Sequence, residues 1–193
     1  LKHSYKDGQA KVNCYLSDYA LLCEGILSLY RASFQERWLN EAKKLADAML
    51  EKFWDKEKGY FYDTAQGQET ILVRPRNIYD NALPSGSSAA AFVLIELTRL
   101  TDNKKYEEVA ASAIRSVQDL MLRYPPGFGH WFCALDLYLS KPLEIAVTGH
   151  PEDSATKSLM RVINERYLPN KVLAVRNPDE PAQMDIPLLR ERT

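Results

Sequence analysis

Residues 15–30, YLSDYALLCEGILSLY, put apolar side chains on almost every face of a helix: Leu16, Tyr19, Leu21, Leu22, Ile26, Leu27 and Leu29 leave no polar stripe. A helix of that kind is surrounded by protein. Ser17 and Asp18 are suited to cap its start. Residues 35–53, QERWLNEAKKLADAMLEKF, follow another rule. Trp38, Leu39, Ala42, Leu45, Ala46, Met49, Leu50 and Phe53 recur at three- and four-residue spacing, with Glu36, Arg37, Glu41, Lys43, Lys44, Glu51 and Lys52 between them. This spacing predicts an amphipathic helix with one wet face.

The couplet returns further along. Residues 87–100, SSAAAFVLIELTRL, are apolar nearly all round; the striped segment after them sets Tyr106, Val109, Ala110, Ala113, Ile114, Val117, Leu120 and Met121 against Lys104, Lys105, Glu107, Glu108, Arg115 and Asp119. The couplets superpose at an offset of 68 residues, with Arg31 on Arg99, Trp38 on Tyr106 and Ala42 on Ala110. Alternating buried and amphipathic helices are what an α/α toroid requires, because inner helices touch neighbours on every side while outer ones meet water. A third buried helix is expected from about His130, ending before Pro142.

The expected fold is therefore mainly α, an incomplete (α/α) toroid of helical hairpins over residues 1–141. The β-prone runs Gly59–Thr64 and Thr70–Arg74 predict an inserted β-hairpin at about 59–74. After Pro142 the pattern changes to strand (143–148), helix (153–167) and strand (171–175), a βαβ unit over 142–177. The tail, 178–193, with Pro178, Pro181 and Pro187, reads as irregular.

Composition narrows the classes. A chain of 193 residues, 46% hydrophobic and 26% charged, has an ordinary globular make-up and enough length for a real core. The 25 basic and 26 acidic residues leave a net charge of -1, so no bulk field recruits nucleic acid or an anionic membrane. No run approaches the roughly 18 consecutive apolar residues of a membrane span. Cys14, Cys23 and Cys133 form no C-x-x-C pair and read as small core residues, which favours a reducing, cytoplasmic setting. No metal or cofactor motif is present. The chain starts at Leu1 and reads as a fragment. A closed toroid needs about six couplets and roughly two and a half are here, so uncovered helix faces predict self-association unless the missing N-terminal part is supplied.

Several segments in this order resemble a known family: Leu16-Ser17-Asp18-Tyr19-Ala20, Phe53-Trp54-Asp55 followed by Gly59-Tyr60-Phe61, Arg74-Pro75, Tyr79 through Ser88, and Tyr167-Leu168-Pro169-Asn170-Lys171-Val172. They look like the C-terminal part of the thioredoxin-domain-containing, spermatogenesis-associated family. That resemblance implies an (α/α)-barrel related to the six-hairpin glycosidases and the N-acylglucosamine 2-epimerases. It also implies a thioredoxin-like domain that precedes the barrel and is absent from this chain, and a longer C-terminal continuation. It supplies architecture more than activity.

Candidate sites gather where inner helices begin. Asp80, Asn81, Ser85, Gly86 and Ser87 lie in a polar loop entering the second inner helix, where small Gly86 would let a ligand approach and free N–H groups would bind hydroxyls. Ser85 or Ser87 as a simple N-cap, with Asp80 as a loop cap, explains the same residues. Asp18, at the first inner helix, would face Asp80 as an acid/base pair for glycoside hydrolysis, or both are helix caps. His130 suits abstraction of a sugar C2 proton, with Trp131 and Tyr19 as stacking faces, or is a packed histidine. Arg74 and Arg76 would hold a carboxylate or phosphate, or pair with Asp80 or Glu69. The expected partner is a sugar-like small molecule bound by an isomerase, epimerase or hydrolase barrel. The alternative is a non-catalytic scaffold that presents clients to the thioredoxin-like domain.

Overall fold

The computed structural model describes residues 1–68, 73–181 and 185–190. Both couplets form. Helix α1 (Leu16–Ser33) is followed by α2 (Glu36–Phe53), and α3 (Gly86–Thr101) by α4 (Lys104–Arg115). The third buried helix is α6 (Gly129–Leu139). The striped segment breaks after α4: Ser116 turns its hydroxyl back to Ala113 O at 2.6 Å, and a short α5 (Gln118–Arg123) resumes the run.

The inner helices α1, α3 and α6 run parallel. Their starts meet, since a Cβ on Gly86 would lie 2.8 Å from Ser17 N and Asp80 binds the first turns of both α3 and α6. Their ends meet too, through Arg31 with Glu96 and Arg99 with Tyr138 O. The core lies between this row and the outer helices, with Leu16, Leu27, Leu39, Met49, Leu94 and Ile95 almost wholly buried. Each such side chain contributes about 1.5–3 kcal/mol. Tyr106, on the outer row, sends its hydroxyl to Asp47 Oδ1 at 2.7 Å and so ties α4 to α2.

Among the described residues three small sheets decorate this frame. β1 (Lys2–Lys6) and β2 (Gln9–Asn13) form an antiparallel hairpin before α1. Asp7 and Gly8 turn it, both with positive φ, the backbone that a two-residue hairpin turn demands. β3 (Trp54–Asp55) pairs with β4 (Tyr60–Phe61). The predicted hairpin at 59–74 is therefore revised: its first strand turns back on residues that precede it, because Asp55 caps the tight turn by accepting from the backbone of Glu57 and Lys58. Of its expected second strand, residues 70–72 lie outside the described residues, and 73–74 are not in a strand.

The βαβ unit forms as expected, with β5 (Leu143–Thr148) parallel to β6 (Lys171–Arg176) and α7 (Ser154–Asn164) between them. Tyr30 docks it: the phenol donates to Val175 O and accepts from Val175 N, each at 2.9 Å. Burial pushes the Tyr30 hydroxyl up to about 12, so it stays a neutral donor. Arg176 reaches Glu36 at 2.7 Å beside it. The tail is less loose than its prolines suggest, for Ile186, Leu188 and Leu189 bury around a 3-10 turn at Pro187–Leu189. Among the described residues no helix is long and apolar enough to cross a membrane.

Candidate functional site

A cleft of about 830 Å³ opens where α1 and α3 begin, lined among others by His3, Asp18, Asp63, Tyr79, Asn81 and Ser85. Its floor exists because α1 and α3 touch. A Cβ on Gly86 would lie 2.8 Å from Ser17 N and 3.2 Å from Leu16 Cγ, so its small size is what lets α1 and α3 touch, and the residue itself lines the cleft.

Asp18 stands in the first turn of α1 and accepts from Tyr15 N at 2.8 Å, which closes the helix start. Its carboxyl also meets His3 Nδ1 at 2.9 and 3.0 Å. At 23% exposure the side chain remains open to the cleft. His3 comes from β1 and packs edge-on against Tyr15. Asp63 follows β4 and is held there by its backbone, which donates to Pro75 O and accepts from Leu16 N, both at 2.9 Å. Its carboxyl accepts from Asn77 N at 2.7 Å. Burial raises the Asp63 carboxyl above the usual aspartate value, against the opposing effects of Asn77 and Arg76. Two carboxyls in contrasting surroundings thus line one cleft.

Asp80 is placed otherwise. Oδ1 accepts from Ser85 N at 2.9 Å and Ser88 Oγ at 2.6 Å; Oδ2 accepts from His130 N at 2.8 Å and Trp131 N at 3.2 Å. With four donors satisfied it clamps two helix starts together and does not face Asp18 across the cleft lining. Ser85 is the N-cap of α3, accepting from Ser88 N at 3.1 Å. Ser87 is buried.

Other candidates are structural in their contacts. Trp131 is 1% exposed and donates its indole N–H to Ile78 O at 2.8 Å, so no sugar can stack on it. Tyr19 is buried edge-on against Phe53. His130 does not line the cleft; its ring lies 5.1 Å from Phe92 with Nδ1 buried. Arg74 caps the carbonyls of Thr64 and Lys52 and lies 4.1 Å over the Tyr62 ring. Arg76 reaches Ser116 and lies 3.9 Å over Tyr60. Cys14 and Cys23 are buried as expected, whereas Cys133 on α6 is exposed and is not a core residue. Among the described residues no group of three or more His, Cys, Asp or Glu is arranged to hold a metal ion.

His3 and Asp63 were not singled out by sequence reasoning. The Asp7-Gly8 pair between short strands was the available signal for His3; Asp63 carried none, since its role depends on burial by residues distant in sequence.

Comparison with known proteins agrees with this architecture. Spermatogenesis-associated protein 20 of Rattus norvegicus is 31% identical over 166 residues, which is 86% of this chain and 21% of that protein. Its Homo sapiens counterpart is 30% identical over 166 residues, with the same coverage of both chains. An uncharacterized protein of Caenorhabditis elegans is 24% identical over 165 residues, 86% of this chain and 22% of that one. The chain thus spans about a fifth of the length of these relatives. The sequence model of glycosyl hydrolase family 47 matches residues 13–142, the stretch from the end of β2 through α6, and the chain belongs to that family.

Proposed function

We propose that the cleft at the start of α1 binds a carbohydrate and that its chemistry is hydrolysis of a glycosidic bond. The observation that carries this reading is the pairing of Asp63, whose carboxyl is raised by burial, with the more open Asp18 in one cleft. Glycoside hydrolysis needs one carboxyl that holds its proton and one that is ionised. Asp63 donates a proton to the oxygen of the leaving sugar as its C–O bond breaks. Asp18, oriented by His3, takes a proton from the water that attacks the anomeric carbon. Asn81 in the lining, with Tyr79 and Tyr15 exposed beside it, offers a hydroxyl-binding group and aromatic faces. Isomerisation through His130 has less support, because His130 is outside this lining.

A panel of short α- and β-linked oligosaccharides, followed by NMR for both saturation transfer and release of reducing ends, tests the reading. Binding and turnover by the wild-type chain are expected, with turnover falling about 100-fold or more in Asp63→Asn while binding persists. Absence of binding across the panel, or unchanged turnover in Asp63→Asn, would overturn it.

A further inference from the structure

The far halves of α1 and α3 carry a second polar centre. Arg31 Nη1 donates to Glu96 Oε1 at 2.7 Å and Nη2 to Ser28 Oγ at 3.2 Å. The Glu96 side chain is 12% exposed, and its other oxygen, Oε2, is buried without a hydrogen-bond partner among the described residues. A buried carboxylate oxygen left unpaired has lost its water without gaining a partner, and that is costly. Burial raises the Glu96 carboxyl, with Arg31 opposing and Glu24 adding to the rise.

The βαβ unit closes over this pair and leaves a cavity of about 360 Å³, where Asn164, Lys171, Met160 and Leu168 face Arg31 and Glu96. It shares no lining residue with the cleft. Asp18 and Arg31 are 13 positions apart on α1. At the helical rise that separates them by about 20 Å.

We propose that this cavity is a separate binding site for a small hydroxylated carboxylate, of sugar-acid type, held by Arg31 and Lys171 at its carboxylate and by Glu96 at a hydroxyl. Two cations face one carboxylate, so the cavity favours an anion. Glu96 and Ser28 take two of the five N–H donors of Arg31, and the rest of the fork suits a planar carboxylate. Among the described residues the Lys171 ammonium makes only a long contact, 3.5 Å to Ile163 O, and is easily turned to a ligand. A ligand hydroxyl would donate to Glu96 on the side that lines the cavity, while Met160 and Leu168 cover the carbon chain. The size sits at the small end of ligand cavities, which suits one acid of a few carbons and not an oligosaccharide.

Calorimetric titration of the chain with D-gluconate tests this, with sorbitol and inorganic phosphate as comparators. Gluconate is expected to bind at least about tenfold more tightly than sorbitol, which lacks the carboxylate, and than phosphate, which lacks the polyol. Lys171→Met and Glu96→Gln should each weaken gluconate about tenfold or more, while Asp63→Asn leaves it unchanged and so separates this site from the cleft. Glu96→Gln keeps an acceptor for Arg31, which preserves the pair if Lys171→Met disturbs β6. No gluconate binding, equal binding of phosphate, or gluconate binding that survives both substitutions would overturn the proposal.

Discussion

Asp18 and Asp80 stand at the starts of neighbouring inner helices and serve opposite ends. Asp80 is saturated: its two oxygens accept from Ser85, Ser88, His130 and Trp131, so every lone-pair direction is spent on joining α3 to α6. Asp18 closes one helix turn, meets His3, and keeps an open side toward the cleft. A carboxylate at a helix start is thus read by its donors. Where backbone N–H groups fill it, it is a joint; where one imidazole meets it beside open space, it is available for chemistry.

The sharpest way to break the contrast is to remove the joint. Asp80→Ala orphans the N–H groups of Ser85, His130 and Trp131 and is expected to destabilise the fold by about 3–5 kcal/mol, measured by urea unfolding. A loss under about 1 kcal/mol would show that the starts of α3 and α6 are held by other means. Gly86→Ala comes next. Its Cβ would meet Ser17 N and Leu16 Cγ, so α1 and α3 must part, at a cost of about 1–3 kcal/mol by the same measurement.

Asp63 gives the smallest effect and the most informative sign. Its folded carboxyl is raised by burial, so its favourable contribution is present below the ordinary aspartate value of 3.8 and is lost as pH rises through the folded value. Asn cannot ionise and still accepts from Asn77 N. Asp63→Asn is therefore expected to match or exceed the wild type in Tm at neutral pH, with the gain disappearing below pH of about 4. Together with lost turnover, that would mark a residue kept for function at the expense of stability. A lower Tm at neutral pH would mean the ionised carboxylate is a structural acceptor, like Asp80.

Most of the fold was legible because its signal is periodic. The apolar faces of residues 15–30 and 87–100 and the stripes of 35–53 and 104–121 map onto α1, α3, α2 and α4 with α5, and the strand-helix-strand pattern after Pro142 onto the βαβ unit. What was missed lacks period. All residues of β1 and β2 are exposed on both faces, so no alternation announces them, and His3 travelled with them. The turn that pairs Tyr60–Phe61 with Trp54–Asp55 depends on one Asp55 carboxylate, not on strand propensity. In the site, Asp18, Asn81 and Ser85 were legible as polar groups at helix starts and do line the cleft. Trp131 and Tyr19 looked like stacking faces because sequence shows an aromatic ring and not the neighbours that bury it.

Turnover per folded molecule in Asp18→Asn and Asp80→Asn, recorded with their Tm values on one oligosaccharide substrate, tests the division of labour most directly. Asp18→Asn is expected to lose about 100-fold or more in turnover at near wild-type Tm, and Asp80→Asn to lose Tm while its folded fraction keeps working. A stable, fully active Asp18→Asn beside a folded but inactive Asp80→Asn would contradict it.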